Sequence, residues 1–512
     1  MNLSKFFEHW RIAENPFRGE EARRDDVFAR LCRVTGPDEQ PTVHSDFEKV
    51  LGDLSHPSSA IVFGEKGSGK TAMRLQIADA VAAHNLRRPE ERVLLISYDD
   101  LNRVLGRFAQ VVGGENPGET LGEIAVTDHL DAVISSAVTS LVDALLGVPE
   151  EGARAFGPTD ELVRDARRLE TGLRRDLLLL QTVYDAGERA HERTERLRRL
   201  LRIGLPRARV LWSVAAFGGW VLPAMVIAAF LTIGGQQGGT GWTVAFTIAL
   251  LLWGAAGLKR FGVDSARATR LGRKLRRSLR MIDRTEESWA RSLDQVDALD
   301  KSPESLPIGP GDETRYAMLG RLRRVVRGFG FRGMIVVVDR VDEPSLINGD
   351  PERMRAVVWP MLNNKFLQQE GLGVKMLLPL ELRHLLFRES SAFFQEARLD
   401  KQSMIERLVW TGPTLYDLCN ARLNACLKEG REPLSLLELF AEDVTRQDVV
   451  DALDQMHQPR DAFKFLYRCL TEHCASVTAD EGSWRIPRLI LDTVRRQEVD
   501  RLQQLYRGIR PA

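Results

Sequence analysis

Gly64-Glu65-Lys66-Gly67-Ser68-Gly69-Lys70-Thr71 is the stretch on which the reading of this chain turns. It fits the pattern G-x-x-x-x-G-K-[ST]. Ser59 to Phe63 before it reads as a short buried strand. Thr71 to His84 after it reads as an amphipathic helix, with Met73, Ile77, Ala80 and Val81 on one face. A glycine loop between a strand and a helix lets backbone N–H groups curl around phosphate oxygens with no Cβ in the way. The helix N-terminus adds a partial positive charge. Lys70 is then expected to reach the β- and γ-phosphates, and the Thr71 hydroxyl to hold Mg²⁺. The stretch thus predicts a binding site for ATP with Mg²⁺.

The second half of such a site is expected downstream. Met334 to Val338 is a run of five apolar residues that ends in Asp339, then Arg340-Val341-Asp342-Glu343. An unbroken apolar run reads as a central parallel strand buried on both faces. Asp339 at its carboxyl end is placed to organise the Mg²⁺ shell. Asp342 and Glu343 are candidates to polarise the attacking water, with Glu343 preferred; the alternative is that both merely begin a loop. Arg92 to Tyr98 and Val374 to Leu380 read as two further strands, and Arg383 as a candidate γ-phosphate sensor or a plain surface arginine. From Arg398 onward the pattern is mainly helical. Arg460, at the helix start Pro459-Arg460-Asp461, is a candidate to reach back to the nucleotide or to form a structural salt bridge.

Net charge is only +1 over 512 residues, but it is unevenly spread. Arg189 to Arg209 holds eight arginines and two glutamates, and Lys259 to Arg280 holds nine basic residues and one aspartate. These windows carry +14 and the rest of the chain −13. Between them lie two uncharged apolar runs, Val210–Ile233 of 24 residues and Trp242–Leu258 of 17, joined by the glycine-rich turn Gly234 to Gly241. As a helix the first spans about 36 Å, enough for a bilayer core of about 30 Å. The expectation is a membrane hairpin, kinked at Pro223 and anchored at interfaces by Trp212, Trp242 and Trp253. The positive-inside rule puts both basic ends, both termini and the nucleotide site in the cytoplasm, at the inner (plasma) membrane. The alternative is a hairpin buried in a soluble core.

The flanks, 159–209 and 259–300, show apolar residues at steps of three and four. They predict an antiparallel coiled-coil stalk of about 40 residues, roughly 60 Å long; the alternative is that these helices fold back onto the globular domain. The predicted organisation is an N-terminal segment (1–44) and the first half of an α/β domain (45–158). A stalk helix (159–209), the hairpin (210–258) and a second stalk helix (259–300) follow. The second half of the α/β domain (312–397) and a helical lid (398–512) complete the chain. Residues 101–158 read as a helical insert around Asp131 to Leu146. Five scattered cysteines without a C-x-x-C spacing read as reduced, buried thiols, and the charged N-terminus does not read as a signal peptide.

The glycine loop, the apolar-Asp339-x-x-Asp342-Glu343 pattern and Pro459-Arg460 resemble the P-loop ATPases of the AAA+/STAND group: Walker A, Walker B and the sensor-2 arginine of the lid. Transmembrane helices inserted between Walker A and Walker B look most like the KAP family, over about residues 45 to 475. KAP proteins usually carry Asp-Asp-x-Asp-Arg at Walker B, whereas here Arg340 follows Asp339 directly. Asn15-Pro16-Phe17 is similar to the start of some bacterial AAA ATPases of secretion and transposition systems. The resemblance implies an α/β P-loop NTPase that is a Mg-dependent ATPase. It further implies a membrane-associated switch or scaffold, with bacterial defence among the implied roles; such a switch is expected to respond through a homo-oligomer or an effector protein. The competing expectation is an ATP-driven motor for transport or bilayer remodelling, against which stands the lack of ionisable residues in either span. No nucleic-acid binding is expected, because the basic blocks lie where lipid explains them.

Overall fold

In the computed structural model of the chain, residues 1–18, 22–32, 44–114, 116–150, 152–233, 240–309, 311–430, 432–478 and 482–506 are described. Five strands form one parallel sheet: β1 Ala60–Gly64, β2 Arg92–Tyr98, β3 Phe331–Val338, β4 Leu372–Pro379 and β5 Ser403–Ile405, in the order β2-β3-β4-β1-β5. β1 and β4 are buried at every residue and β3 at every residue but Arg332. Burial on both faces is why these strands read as apolar runs and not as alternation. The register pairs Ala60 with Lys375 and Gly64 with Pro379 on one side of β1, and Ala60 with Ser403 on the other. β5 was not expected, since 398 onward reads as helical.

The chain divides into two compact units, 1–87 with 337–341 and 373–512, and 88–336 with 342–372. In the first, the helix Lys70–Arg87 follows the glycine loop and buries Met73, Ile77 and Val81. The N-terminal segment does not stand apart there. Phe6, Trp10 and Phe17 share one apolar core with Leu415, Leu423, Phe465 and Leu470 of the C-terminal helices. Ala13 N–H donates to the Cys426 carbonyl at 2.7 Å and Lys428 N–H to that of Arg11 at 2.9 Å. Buried Arg422 ties the two together, donating to the Pro16 carbonyl at 2.8 Å and pairing with Asp25 at 2.7 Å. Cys419, Cys426, Cys469 and Cys474 are buried free thiols, and burial pushes the Cys426 thiol up to about 11. The Cys32 side chain lies outside what is described.

The second unit is built on the helix Val126–Leu146, which covers the expected insert. It is apolar enough to cross a membrane, yet 78% of its apolar window is buried inside the protein. The helices Thr171–Tyr184, Ala190–Leu200 and Glu313–Gly328 pack against it. This corrects the stalk. Residues 159–200 form three short helices, Thr159–Arg168, Thr171–Tyr184 and Ala190–Leu200, not one long arm. Leu177 to Tyr184 are buried on every face, so their three-and-four spacing is a subset of an all-round apolar pattern. The returning residues pack into the same core. Trp289 Nε1 donates to the Val183 carbonyl at 3.0 Å, and buried Arg284 donates to the carbonyls of Thr182 at 2.7 Å and Ser288 at 3.1 Å.

Beyond this bundle run the two apolar segments. The first comprises the helices Arg207–Gly218 and Val221–Ile233. The second, Thr240–Gly257, continues through a π-helical turn, Leu258–Val263, into Asp264–Ser278. By length and composition Arg207–Thr232 and Thr240–Ser278 can each cross a membrane, and only 6% and 11% of their apolar windows are buried. The first breaks one turn before Pro223, where proline offers no N–H to the Gly219 carbonyl; Leu222 N–H donates there instead, at 3.1 Å. Trp253 Nε1 donates to the Ala216 carbonyl at 2.8 Å. It therefore fastens the two helices together. The glycine turn lies outside the described residues at 234–239.

Candidate functional site

The glycine loop leaves the carboxyl end of β1. Gly67 and Gly69 adopt φ of 101° and 97°, a region where a side chain is strained. A Cβ on Gly67 would lie 2.9 Å from Gln458 Oε1 and 3.2 Å from the Arg460 Cβ. The loop closes on itself into the helix, with Met73 N–H donating to the Gly69 carbonyl at 2.8 Å. The Lys70 ammonium donates to the carbonyls of Gly64 at 2.7 Å and Glu65 at 2.9 Å. Ser68 is buried, and its Oγ has no hydrogen-bond partner among the described residues. Lys66 is exposed.

Asp339 follows the last residue of β3 and is 1% exposed. Thr71 Oγ1 donates to its Oδ2 at 3.3 Å, and Arg74 Nε lies 3.5 Å from the same oxygen. Burial pushes the Asp339 carboxyl above the usual carboxylate range. The Arg74 guanidinium, the Arg340 backbone, Lys70 and Thr71 pull it part of the way back. Arg340 takes the left-handed φ of 60° directly after it.

Of the residues singled out from sequence, Gly64 to Thr71, Asp339 and Arg460 come together. Asp342 and Glu343 belong to the other unit, where they open a turn closed by Gly349 N–H donating to the Asp342 carbonyl at 3.0 Å; Glu343 is exposed. Arg383 is engaged with Glu406 at 2.6 Å and stacks over Phe387.

Sequence reasoning missed several partners of the loop. The Glu65 carboxylate is held by both Arg407 and Gln458. Trp410 Nε1 donates to the Ser68 carbonyl at 2.8 Å, and His44 packs edge-on against the Trp410 ring at 4.8 Å. A cavity of about 150 Å³ lies beside the loop, lined by Glu65, Ser68, Arg407, Trp410 and Gln458 among others. Only Arg74 had a legible signal: it lies four residues after Lys70, on the same helix face.

The donor set fits a phosphate. A loop with two left-handed glycines at a helix start, an ammonium folded onto the loop's own carbonyls and a buried unpartnered hydroxyl all suit an anion with many acceptor oxygens. No group of three or more His, Cys, Asp or Glu that could hold a metal occurs among the described residues. A Mg²⁺ ion would thus depend on Thr71, Asp339 and oxygens of its ligand, which is how Mg²⁺ is usually held with phosphates. Comparison with protein-family models, with curated proteins and with solved structures finds no match for this chain.

Proposed function

We propose that this chain is a membrane-anchored P-loop NTPase that binds Mg-ATP at Gly64 to Thr71 and Asp339 and acts as a nucleotide-dependent switch. The reading rests on one observation above the others: Thr71, at the start of the helix after a left-handed glycine loop, donates to a buried aspartate 268 residues away in sequence. A hydroxyl and a carboxylate so joined are the two protein oxygens that a phosphate-bound Mg²⁺ requires.

Bound Mg-ATP supplies a phosphoanhydride to cleave and a cluster of negative charge to be sensed. Backbone N–H groups of the loop hold the phosphates, and Lys70 exchanges its two carbonyl partners for phosphate oxygens. Glu65 is the residue by which the C-terminal region senses the loop, because Arg407 and Gln458 hold its carboxylate while Arg460 lies against Gly67. A change in loop conformation is thereby passed to the helix Pro459–Ser476, which favours a switch. The sequence pattern, not a contact with the loop, is what proposes Glu343 as the base for hydrolysis, with Asp342 beside it. The two exposed apolar helices, flanked by basic blocks, support a bilayer hairpin with the nucleotide site on the cytoplasmic face.

The test is Mg-ATP binding and turnover by the full-length protein in detergent, beside Lys70→Ala and Glu343→Gln. Tight binding lost in Lys70→Ala, with slow turnover lost in both, is the expected result. Fast turnover raised by lipid would turn the reading to a motor, and no binding in the parent protein would overturn it.

A further inference from the structure

The second unit contains a cavity of about 780 Å³ that the nucleotide reading does not use. Its size falls within the usual range for small-molecule sites, about 300–1,000 Å³. One wall is the central helix Val126–Leu146. That helix holds other polar residues in ion pairs, Asp128 with Arg280 and Asp131 with Arg315, but Ser136, Thr139, Ser140 and Asp143 lie along one side of it and all line the cavity. A helix whose only task is to fill a core has no reason to carry hydroxyls along one stripe.

The floor is built and held. Arg193 pairs with Asp143 at 2.7 Å and with fully buried Asp185 at 3.0 Å. Asp185 also accepts from Gln181 Nε2 at 2.9 Å and from the Gly187 N–H at 3.0 Å. Arg193 lies so close over Gly187 that a Cβ there would fall 2.1 Å from Nη1, so a side chain at this position would push the guanidinium aside. Thr139 Oγ1 accepts from the Ala186 N–H at 3.0 Å, fixing the hydroxyl wall to the same loop.

The charge of the lining selects the ligand. Five carboxylates face the cavity against three arginines, and the innermost arginine is already committed to two aspartates. A bound anion would meet repulsion with no free inner guanidinium. A cation would meet Glu150 and Glu188, both exposed at the lining. We propose that this cavity binds a small hydroxylated amine, its ammonium on the carboxylates and its hydroxyls on Ser136 and Ser140. The site lies wholly within 97–283 and is independent of Gly64 to Thr71.

D-glucosamine is the probe, titrated into the full-length protein in detergent and read by calorimetry. Neutral D-glucose and anionic D-glucuronate serve as controls. Saturable glucosamine binding is expected, with glucose weaker by about tenfold, the worth of one charge-assisted hydrogen bond. Glucuronate is expected not to bind. Glu188→Gln changes an exposed side chain and leaves the fold intact; with Ser136→Ala/Ser140→Ala it is expected to weaken glucosamine severalfold while Lys70-dependent ATP binding stays unchanged. No saturable binding of glucosamine, tighter binding of glucuronate, or an affinity unmoved by Glu188→Gln would overturn the proposal.

Discussion

Lys375 shows how far a single residue can depart from its ordinary setting. It sits on β4 opposite Ala60 of β1 and is 0% exposed. Its Nζ has no hydrogen-bond partner among the described residues. Burial lowers its pKa from 10.5 to about 8. Below about pH 8 the fold must hold a buried, unpaired ammonium, which opposes folding. That opposition fades as pH rises from about 8 toward the unfolded value, because there the folded chain binds fewer protons than the unfolded one. Lys375→Met is therefore expected to raise stability at pH 7 by roughly 3 kcal/mol and to flatten its rise between pH 8 and 10. Denaturant titrations at both ends of that range check this; an unchanged or lower midpoint at pH 7 would show that the ammonium is compensated. Nothing in the local sequence, Gly373-Val374-Lys375-Met376, marks this lysine as buried. Only the pairing of β4 on both sides does so.

Among elements, a fully buried ion pair joins helices of the second unit. Arg315, on the helix Glu313–Gly328, pairs with Asp131 of the central helix at 2.7 Å, and the Tyr184 hydroxyl donates to the same carboxylate at 2.9 Å. Its other nitrogens donate to the carbonyls of Gly309 at 2.9 Å and Gly311 at 2.8 Å, and to Ser278 Oγ at 2.9 Å. Ser278 ends the long helix that carries the second apolar segment, so this guanidinium ties that helix to the bundle. Arg315→Met strands a buried aspartate and is expected to cost about 3–5 kcal/mol, whereas adding Asp131→Leu should recover most of it. Chemical denaturation of the single and double variants distinguishes this from simple loss of packing, in which the double variant would be the worse. Four of the five strands were legible, since runs such as Met334 to Val338 have no polar break. β5, three residues long, carries too little pattern to read and exists because β1 offers it an edge. The kink expected at Pro223 was legible for a local reason, the missing N–H.

For the whole molecule, the two basic blocks and the apolar segments between them make a single prediction. The full-length protein should stay with membranes through alkaline carbonate washing, and a chain lacking 207–258 should be released. An exclusively soluble parent protein would sink the anchor. Single cysteines at Arg207 and Thr240 should then label from opposite faces, the first only after the cytoplasmic side is opened. Labelling of both from one face would leave a hairpin that lies on the bilayer without crossing it.

The glycine loop, the strand before it, the helix after it, the apolar run ending in Asp339 and the two uncharged segments are all legible in the order of residues alone. Each is a local pattern whose physics acts within a few turns of chain. Folding in three dimensions is what brings Thr71 to Asp339 and puts Glu65 in the grip of Arg407 and Gln458. The same holds for the N-terminal residues, which join the C-terminal helical core, and for the expected stalk, which folds into a bundle around Val126–Leu146. Spacing of three and four marks a helix face as apolar but not what will cover it. The partner is chosen by which faces remain uncovered once the chain is compact, and that is a property of the whole fold.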